Sequence, residues 1–65
     1  MNAKEIIQAR INELESEMKK VVETMQTTEA PQGKDEQFRM VAGFKDQILT
    51  LRAGIAELKN IEGLL

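Results

Sequence analysis

The sequence predicts an all-α protein in which two helices fold back on each other as an antiparallel, coiled-coil-like hairpin. Apolar residues recur at heptad spacing in both halves of the chain, and a single proline followed by a glycine separates the halves. The composition, 42% hydrophobic and 31% charged, is typical of globular or coiled-coil chains and not of disordered ones. At 65 residues the chain is one small domain, residues 1–65.

The first helix is predicted over residues 2–28. Asn2 is a favourable N-cap, and Glu5 lies three residues later, as a capping box requires. The apolar positions then step by four and three residues, which places them on one side of a helix. This first stripe consists of Ile7, Ile11, Leu14, Met18, Val21 and Met25.

A short turn over residues 29–35 is predicted to connect the helices. Pro31 and Gly33 suit the second and fourth positions of a type I turn, and Asp35 is a suitable N-cap for the next helix. Because a short connection makes consecutive helices antiparallel neighbours, the two stripes should face each other.

The second helix is predicted over residues 36–62, with Gly63 as its C-cap. Its heptad stripe consists of Val41, Phe44, Ile48, Leu51, Ile55 and Leu58. Alignment of the two stripes predicts the layers Met25–Phe44, Val21–Ile48, Met18–Leu51, Leu14–Ile55 and Ile11–Leu58. The same register predicts that Glu15 lies near Arg52 and that Gln8 lies near Lys59.

A second apolar stripe on helix two is separated from the first by a row of basic residues. The second stripe consists of Phe38, Ala42, Leu49, Ala53 and Ala56, and the basic row consists of Lys45, Arg52 and Lys59. A lone hairpin of this size is marginal, so we interpret the second stripe as a self-association surface. The expected product is a homodimer or higher oligomer, with a four-helix bundle favoured. Docking of a foreign helix is the alternative, and mixed charges around the stripe disfavour a membrane surface.

Two glycines within helix two, Gly43 and Gly54, belong to an 11-residue echo of Ala-Gly followed by an apolar residue. On a helical wheel they share a polar side that is neither the heptad stripe nor the second stripe. Glycine within a helix costs about 1 kcal/mol relative to alanine. Either both are tolerated on an exposed side, or a partner packs against them as part of a binding surface.

The chain lacks the residues that most catalytic and metal sites use. It contains no histidine and no cysteine, and Ser16 is its only serine. Glu13 and Glu17 are one helical turn apart and could hold a hard cation weakly, but a solvated acidic face is the favoured interpretation. Gly33 and Lys34 are only a fragment of a phosphate-binding loop. We therefore expect no enzymatic activity, no metal and no cofactor.

The expected function is a non-enzymatic interaction module that self-associates and binds or inhibits another protein. Short chains of this kind are frequent among phage and mobile-element accessory proteins, an expectation that rests on size alone. A net charge of −2 and a basic row of three residues disfavour nucleic acid. A small dimer that binds RNA or DNA and a structural subunit of a larger helical assembly remain as alternatives. No apolar run of membrane-spanning length and no signal-peptide pattern is present, so a cytoplasmic location is expected.

Overall fold

The computed structural model describes residues 1–65 and confirms an all-helical hairpin. Helix α1 comprises Ala3–Thr27 and helix α2 comprises Lys34–Leu64. The two helices pack side by side and antiparallel, in a molecule of 50 × 17 × 11 Å. A helix of 31 residues is about 46 Å long at 1.5 Å per residue, so α2 spans nearly the whole molecule.

Hydroxyl and amide side chains mark both ends of α1. At its start the Asn2 Oδ1 atom accepts a hydrogen bond from the backbone N–H of Glu5 at 2.9 Å, which confirms the predicted N-cap. At its end the hydroxyls of Thr24 and Thr27 donate to the carbonyl oxygens of Lys20 and Glu23, each four residues earlier. Threonines that bond to the preceding turn weaken helix propagation, which is consistent with the end of α1 at this point.

The predicted N-cap of α2 is wrong. The helix begins at Lys34, so Asp35 lies in its first turn, and Gly33 occupies the N-cap position with extended backbone angles and no capping side chain. The expected type I turn also lacks its hydrogen bond, because the backbone N–H of Gly33 does not bond to the carbonyl oxygen of Ala30. Instead, the side chain of Gln37 reaches back and donates to the carbonyl oxygen of Pro31 at 2.8 Å.

The predicted C-cap of α2 is wrong as well. Gly63 lies inside the helix, which continues to Leu64, and it does not adopt the positive φ of a glycine cap. The backbone N–H of Leu65 bonds to the carbonyl oxygen of Glu62 at 3.2 Å, which closes the last turn without a glycine-specific conformation.

The core lies along the seam between the two heptad stripes. Ile11, Leu14 and Ile55 are buried. The residues packed against them are Ile7, Met18, Leu51 and Leu58. This cluster contains both members of the three predicted layers nearest the chain termini. Val41 belongs to the heptad stripe of α2 but is 54% exposed. It has no partner because α1 ends at Thr27, before the position that would face Val41.

The predicted flanking contact between Glu15 and Arg52 is wrong, because Glu15 forms an ion pair with Lys59 instead. The Lys59 Nζ and Glu15 Oε1 atoms are 3.6 Å apart. Side chains on a helix lean toward its N-terminus. In an antiparallel pair Glu15 and Lys59 therefore lean toward each other, whereas Arg52 leans away from Glu15.

Candidate interaction surface

The second apolar stripe lies on the side of α2 that does not pack into the core. We call it the outer apolar face; it consists of Phe38, Ala42, Leu49, Ala53 and Ala56. Phe38 is 76% exposed and Leu49 is 44% exposed, although both are large apolar side chains. Ala53 and Ala56 are also exposed, and Ala42 is half-buried. No member of this face belongs to the core cluster.

The hairpin exposes more surface than a compact protein of its mass. Its accessible surface is 5254 Å². A compact monomer of this mass exposes about 4,200 Å². The excess, roughly 1,000 Å², is close to the area of about 800 Å² that each partner contributes to a standard interface. The shape of the hairpin thus leaves an area the size of one interface unburied.

Charged residues border the outer apolar face on both of its edges. The basic row of Lys45, Arg52 and Lys59 follows one edge. Asp46 and Glu57 follow the other, and we call these two residues the acidic edge. Lys59 is engaged by Glu15 of α1. The other four of these side chains, Lys45, Arg52, Asp46 and Glu57, form no ion pair within the hairpin. The only other ion pair of the hairpin joins Arg10 and Glu13.

The two helical glycines occupy different environments. A Cβ atom at Gly43 would meet nothing within 4 Å, whereas a Cβ atom at Gly54 would lie 3.4 Å from Leu14 Cδ1. The expectation that both glycines lie away from the seam is therefore wrong for Gly54. Leu14 of α1 thus lies against Gly54, so Gly54 is part of the contact between the helices.

A further set of apolar side chains is exposed at the open end of the hairpin, where α1 begins and α2 ends. These side chains are Met1, Ile6, Ile61, Leu64 and Leu65, with exposures from 40% to 87%. The heptad spacing and the helical wheel do not reveal them as a surface, because they belong to no regular stripe. The signal that could have found them is the presence of large apolar residues outside both stripes at the two ends of the chain.

The structure gathers no group of three or more side chains of the types that hold a metal ion. Of the two glutamates considered for a cation, Glu13 is bound by Arg10, and Glu17 lines an open groove between the helices. The same groove contains Val21, Leu51 and Asp46. Ser16 is exposed, with no hydrogen-bond partner for its hydroxyl among the side-chain contacts. Neither helix contains an apolar stretch long enough to cross a membrane.

The fold and surface define a helical hairpin with one exposed apolar face. Comparisons of the chain with protein-family models, with curated proteins and with solved structures found no match.

Proposed function

We propose that this chain is a non-enzymatic interaction module of the cytoplasm. It associates with a second copy through the outer apolar face to form a four-helix bundle, and the assembled protein binds or inhibits a target protein. The observation that carries this proposal is the exposure of Phe38 and Leu49 on a helix whose other stripe already forms the seam.

The energetics of a small domain support self-association. Only three of the 65 residues are buried, so the seam provides a small core for ordering the whole chain. Burying a large apolar side chain contributes about 1.5–3 kcal/mol. A contact that covers Phe38 and Leu49 in two copies adds four such side chains, a substantial increase over a core of three buried residues.

Sedimentation equilibrium combined with thermal melts at several protein concentrations tests the self-association. The native chain should sediment with the mass of two chains and melt at a temperature that rises with concentration. Leu49→Asp should produce a monomer, because it places a charge in a dry contact, which costs several kcal/mol. Ser16→Asp adds the same charge on an exposed part of α1 and should leave the dimer intact.

A native chain that remains monomeric at tens of micromolar would contradict the proposal. The same conclusion follows if Ser16→Asp dissociates the dimer as strongly as Leu49→Asp, since charge and not the outer apolar face would then be responsible.

Binding to a target protein requires a surface that the dimer leaves free. The apolar side chains Ile6 and Ile61 at the open end meet this requirement because they lie away from the outer apolar face. Capture of target proteins by the native chain, compared with an Ile6→Asp, Ile61→Asp variant that still dimerises, tests this part. Equal capture of the same protein by both chains would exclude the open end as the binding surface.

A further inference from the structure

The antiparallel arrangement adds a lysine of α1 to the basic row of α2. On a helical wheel the basic row lies about 50–90° from the seam direction of α2, and Lys19 lies about 110° from the seam direction of α1. The ion pair of Glu15 with Lys59 shows that these directions belong to the same side of the hairpin. We call this side the basic flank; it consists of Lys19, Lys45, Arg52 and Lys59.

Most of the charge on the basic flank has no partner within the hairpin. Glu15 is the only carboxylate on this side, and it is already paired with Lys59. The other three members of the flank form no ion pair, and all three are exposed. Glu23 lies about 150° from the seam direction of α1, on the side that faces away from α2. A chain with a net charge of −2 therefore has one side dominated by positive charge.

The opposite side of the hairpin has no dominant sign of charge. There Arg10 is bound by Glu13. The groove between the helices on this side is bordered by Glu17, Lys20 and Asp46, which are acidic and basic in mixture. Long-range attraction of an oppositely charged partner is therefore expected at the basic flank and not at the groove.

An apolar strip lies between the seam and the cations of the basic flank. It consists of Val22 of α1 and of Val41 and Ile48 of α2, which lie about 30–50° from the seam directions of their helices. Val41 is 54% exposed, and Val22 and Ile48 are only half-buried. A phosphate backbone supplies charge but no apolar surface to cover such a strip, whereas an amphipathic helix supplies both.

The spacing of the basic row matches a helical partner. Lys45, Arg52 and Lys59 recur every seven residues, which corresponds to about 10.5 Å along α2. A helix that lies along the hairpin presents equivalent positions at the same interval, so acidic residues at heptad spacing meet successive cations. A second copy does not meet this requirement, because its heptad stripes form its own seam and its outer apolar face is bordered by the basic row itself.

We infer that the basic flank docks an acidic amphipathic helix of another protein, whose apolar stripe covers the apolar strip and whose flanking carboxylates pair with Lys19 on one side and with Lys45 and Arg52 on the other. Such a helix lies about 60° around α2 from α1, whereas the outer apolar face is centred about 130° from α1, so both surfaces can be occupied together. The inference goes beyond the proposed function, because neither the dimer contact nor the open end requires these cations.

A synthetic peptide of defined pattern tests the chemistry of the partner. The probe is a fluorescently labelled helical peptide with leucine at positions a and d and glutamate at positions e and g. The native chain should bind it, more weakly as salt is added, and should bind the same peptide with lysine in place of glutamate at least about tenfold more weakly. Absence of binding to the glutamate peptide, or equal binding of the two peptides, overturns the inference and leaves the proposed dimer standing.

Two matched double variants test the location of the contact. Each replaces one lysine of α1 and one arginine of α2 by glutamine, so their net charges are identical. Combining Lys19→Gln with Arg52→Gln should raise the dissociation constant of the glutamate peptide about tenfold, because two exposed ion pairs are lost. Combining Lys20→Gln with Arg39→Gln, on other sides of the same helices, should leave it nearly unchanged. Equal losses in the two variants would show that only net charge matters, which overturns the inference.

Single variants separate this contact from its neighbours. If Arg52→Gln weakens binding but Lys19→Gln does not, the peptide lies on the outer apolar face and the inference is wrong. Val41→Ser should weaken binding of the peptide severalfold, because it removes part of the apolar strip, and should not change binding of single-stranded RNA. RNA that binds more tightly than the peptide, with Val41→Ser without effect on either, would identify a phosphate backbone as the ligand instead. A monomeric native chain that binds the peptide would overturn the dimer and support this inference, since the basic flank belongs to a single hairpin.

Discussion

The two halves of the hairpin are built from the same kind of stripe, yet they pack differently. In the half toward the open end, Ile11, Leu14 and Ile55 are buried. In the half toward the turn, the seam residues Val21 and Ile48 are only half-buried. A heptad pattern therefore predicts where two helices meet, but not how closely they meet.

The two glycines of the 11-residue echo explain part of this difference. At Gly54 the backbone of α2 lies close enough to α1 that a Cβ atom there would contact Leu14 Cδ1, at 3.4 Å. At Gly43, in the half toward the turn, no atom of α1 lies near. The open half combines a small residue on one helix with a large residue on the other, which is how close packing of facing positions is achieved.

The largest expected effect is a truncation in the buried half. Ile11 is 2% exposed. Ile11→Ala should lower the free energy of unfolding by about 2–5 kcal/mol, since it removes buried atoms and leaves a cavity. Val21→Ala, at a half-buried seam position, should cost about 1 kcal/mol. Urea titrations followed by far-ultraviolet circular dichroism at one fixed protein concentration measure both values.

A chain this small could unfold entirely when Ile11 is truncated to alanine, so Ile11→Val provides a milder variant. It should cost about 0.5–1.5 kcal/mol. If Val21→Ala proved as costly as Ile11→Ala, the two halves would be equally well packed and the comparison would be wrong.

The second prediction tests the close approach at Gly54 directly. Gly54→Leu should destabilise the hairpin by about 1–3 kcal/mol, because the new side chain must displace Leu14 and separate the helices. Gly43→Leu places the same side chain in open space, where the better helix propensity of leucine should stabilise the protein by up to about 1 kcal/mol. Thermal melts of the two variants give the comparison. Equal shifts of the melting temperature in the same direction would show that Gly54 is not a packing position.

Much of this fold follows from the sequence because heptad spacing determines which residues can face each other. The stripes identify all seven residues of the core cluster, from Ile7 to Leu58. The errors involve properties that spacing does not contain. The ion pair of Glu15 with Lys59 depends on the direction in which side chains lean, and the environment of Gly54 depends on how closely the backbones approach.

The interaction surface could be predicted less completely. The outer apolar face emerges from the periodicity of α2, because its members recur on one side of the helix. The exposed residues at the open end, such as Ile61 and Leu64, belong to no regular stripe. Their common location becomes apparent only when the antiparallel arrangement brings the start of α1 beside the end of α2.

The third prediction concerns the helix caps, which differ between the two ends of the hairpin. Asn2 caps α1 with its side chain, whereas Gly33 offers none to α2. The extended backbone at Gly33 suits a serine. A Cβ atom at position 33 would lie 3.6 Å from the side chain of Glu36, three residues later. Gly33→Ser should therefore create a capping box. We expect Gly33→Ser to be more stable than Gly33→Ala by about 1 kcal/mol in thermal melts. Equal stability of the two variants would show that the N-terminus of α2 gains nothing from a side-chain cap.

The smallest expected effect concerns the flanking ion pair, which reports the register of the seam. Lys59 and Glu15 are 60% and 48% exposed in their side chains, so a double-mutant cycle with Glu15→Gln and Lys59→Gln should give a coupling of only about 0.5 kcal/mol, reduced further by salt.

A zero-length carbodiimide reaction is the more sensitive measurement, because it joins a carboxylate to an amine only where the two already touch. Mass spectrometry of the digested monomer should then find Glu15 linked to Lys59. In the Arg52→Lys variant two amines compete for Glu15, and the lean of the side chains predicts that Lys59 still provides the main product. A predominant link to position 52 would instead restore the register contact that the sequence alone predicts, and it would show that the side chains do not lean toward each other as the structure has them.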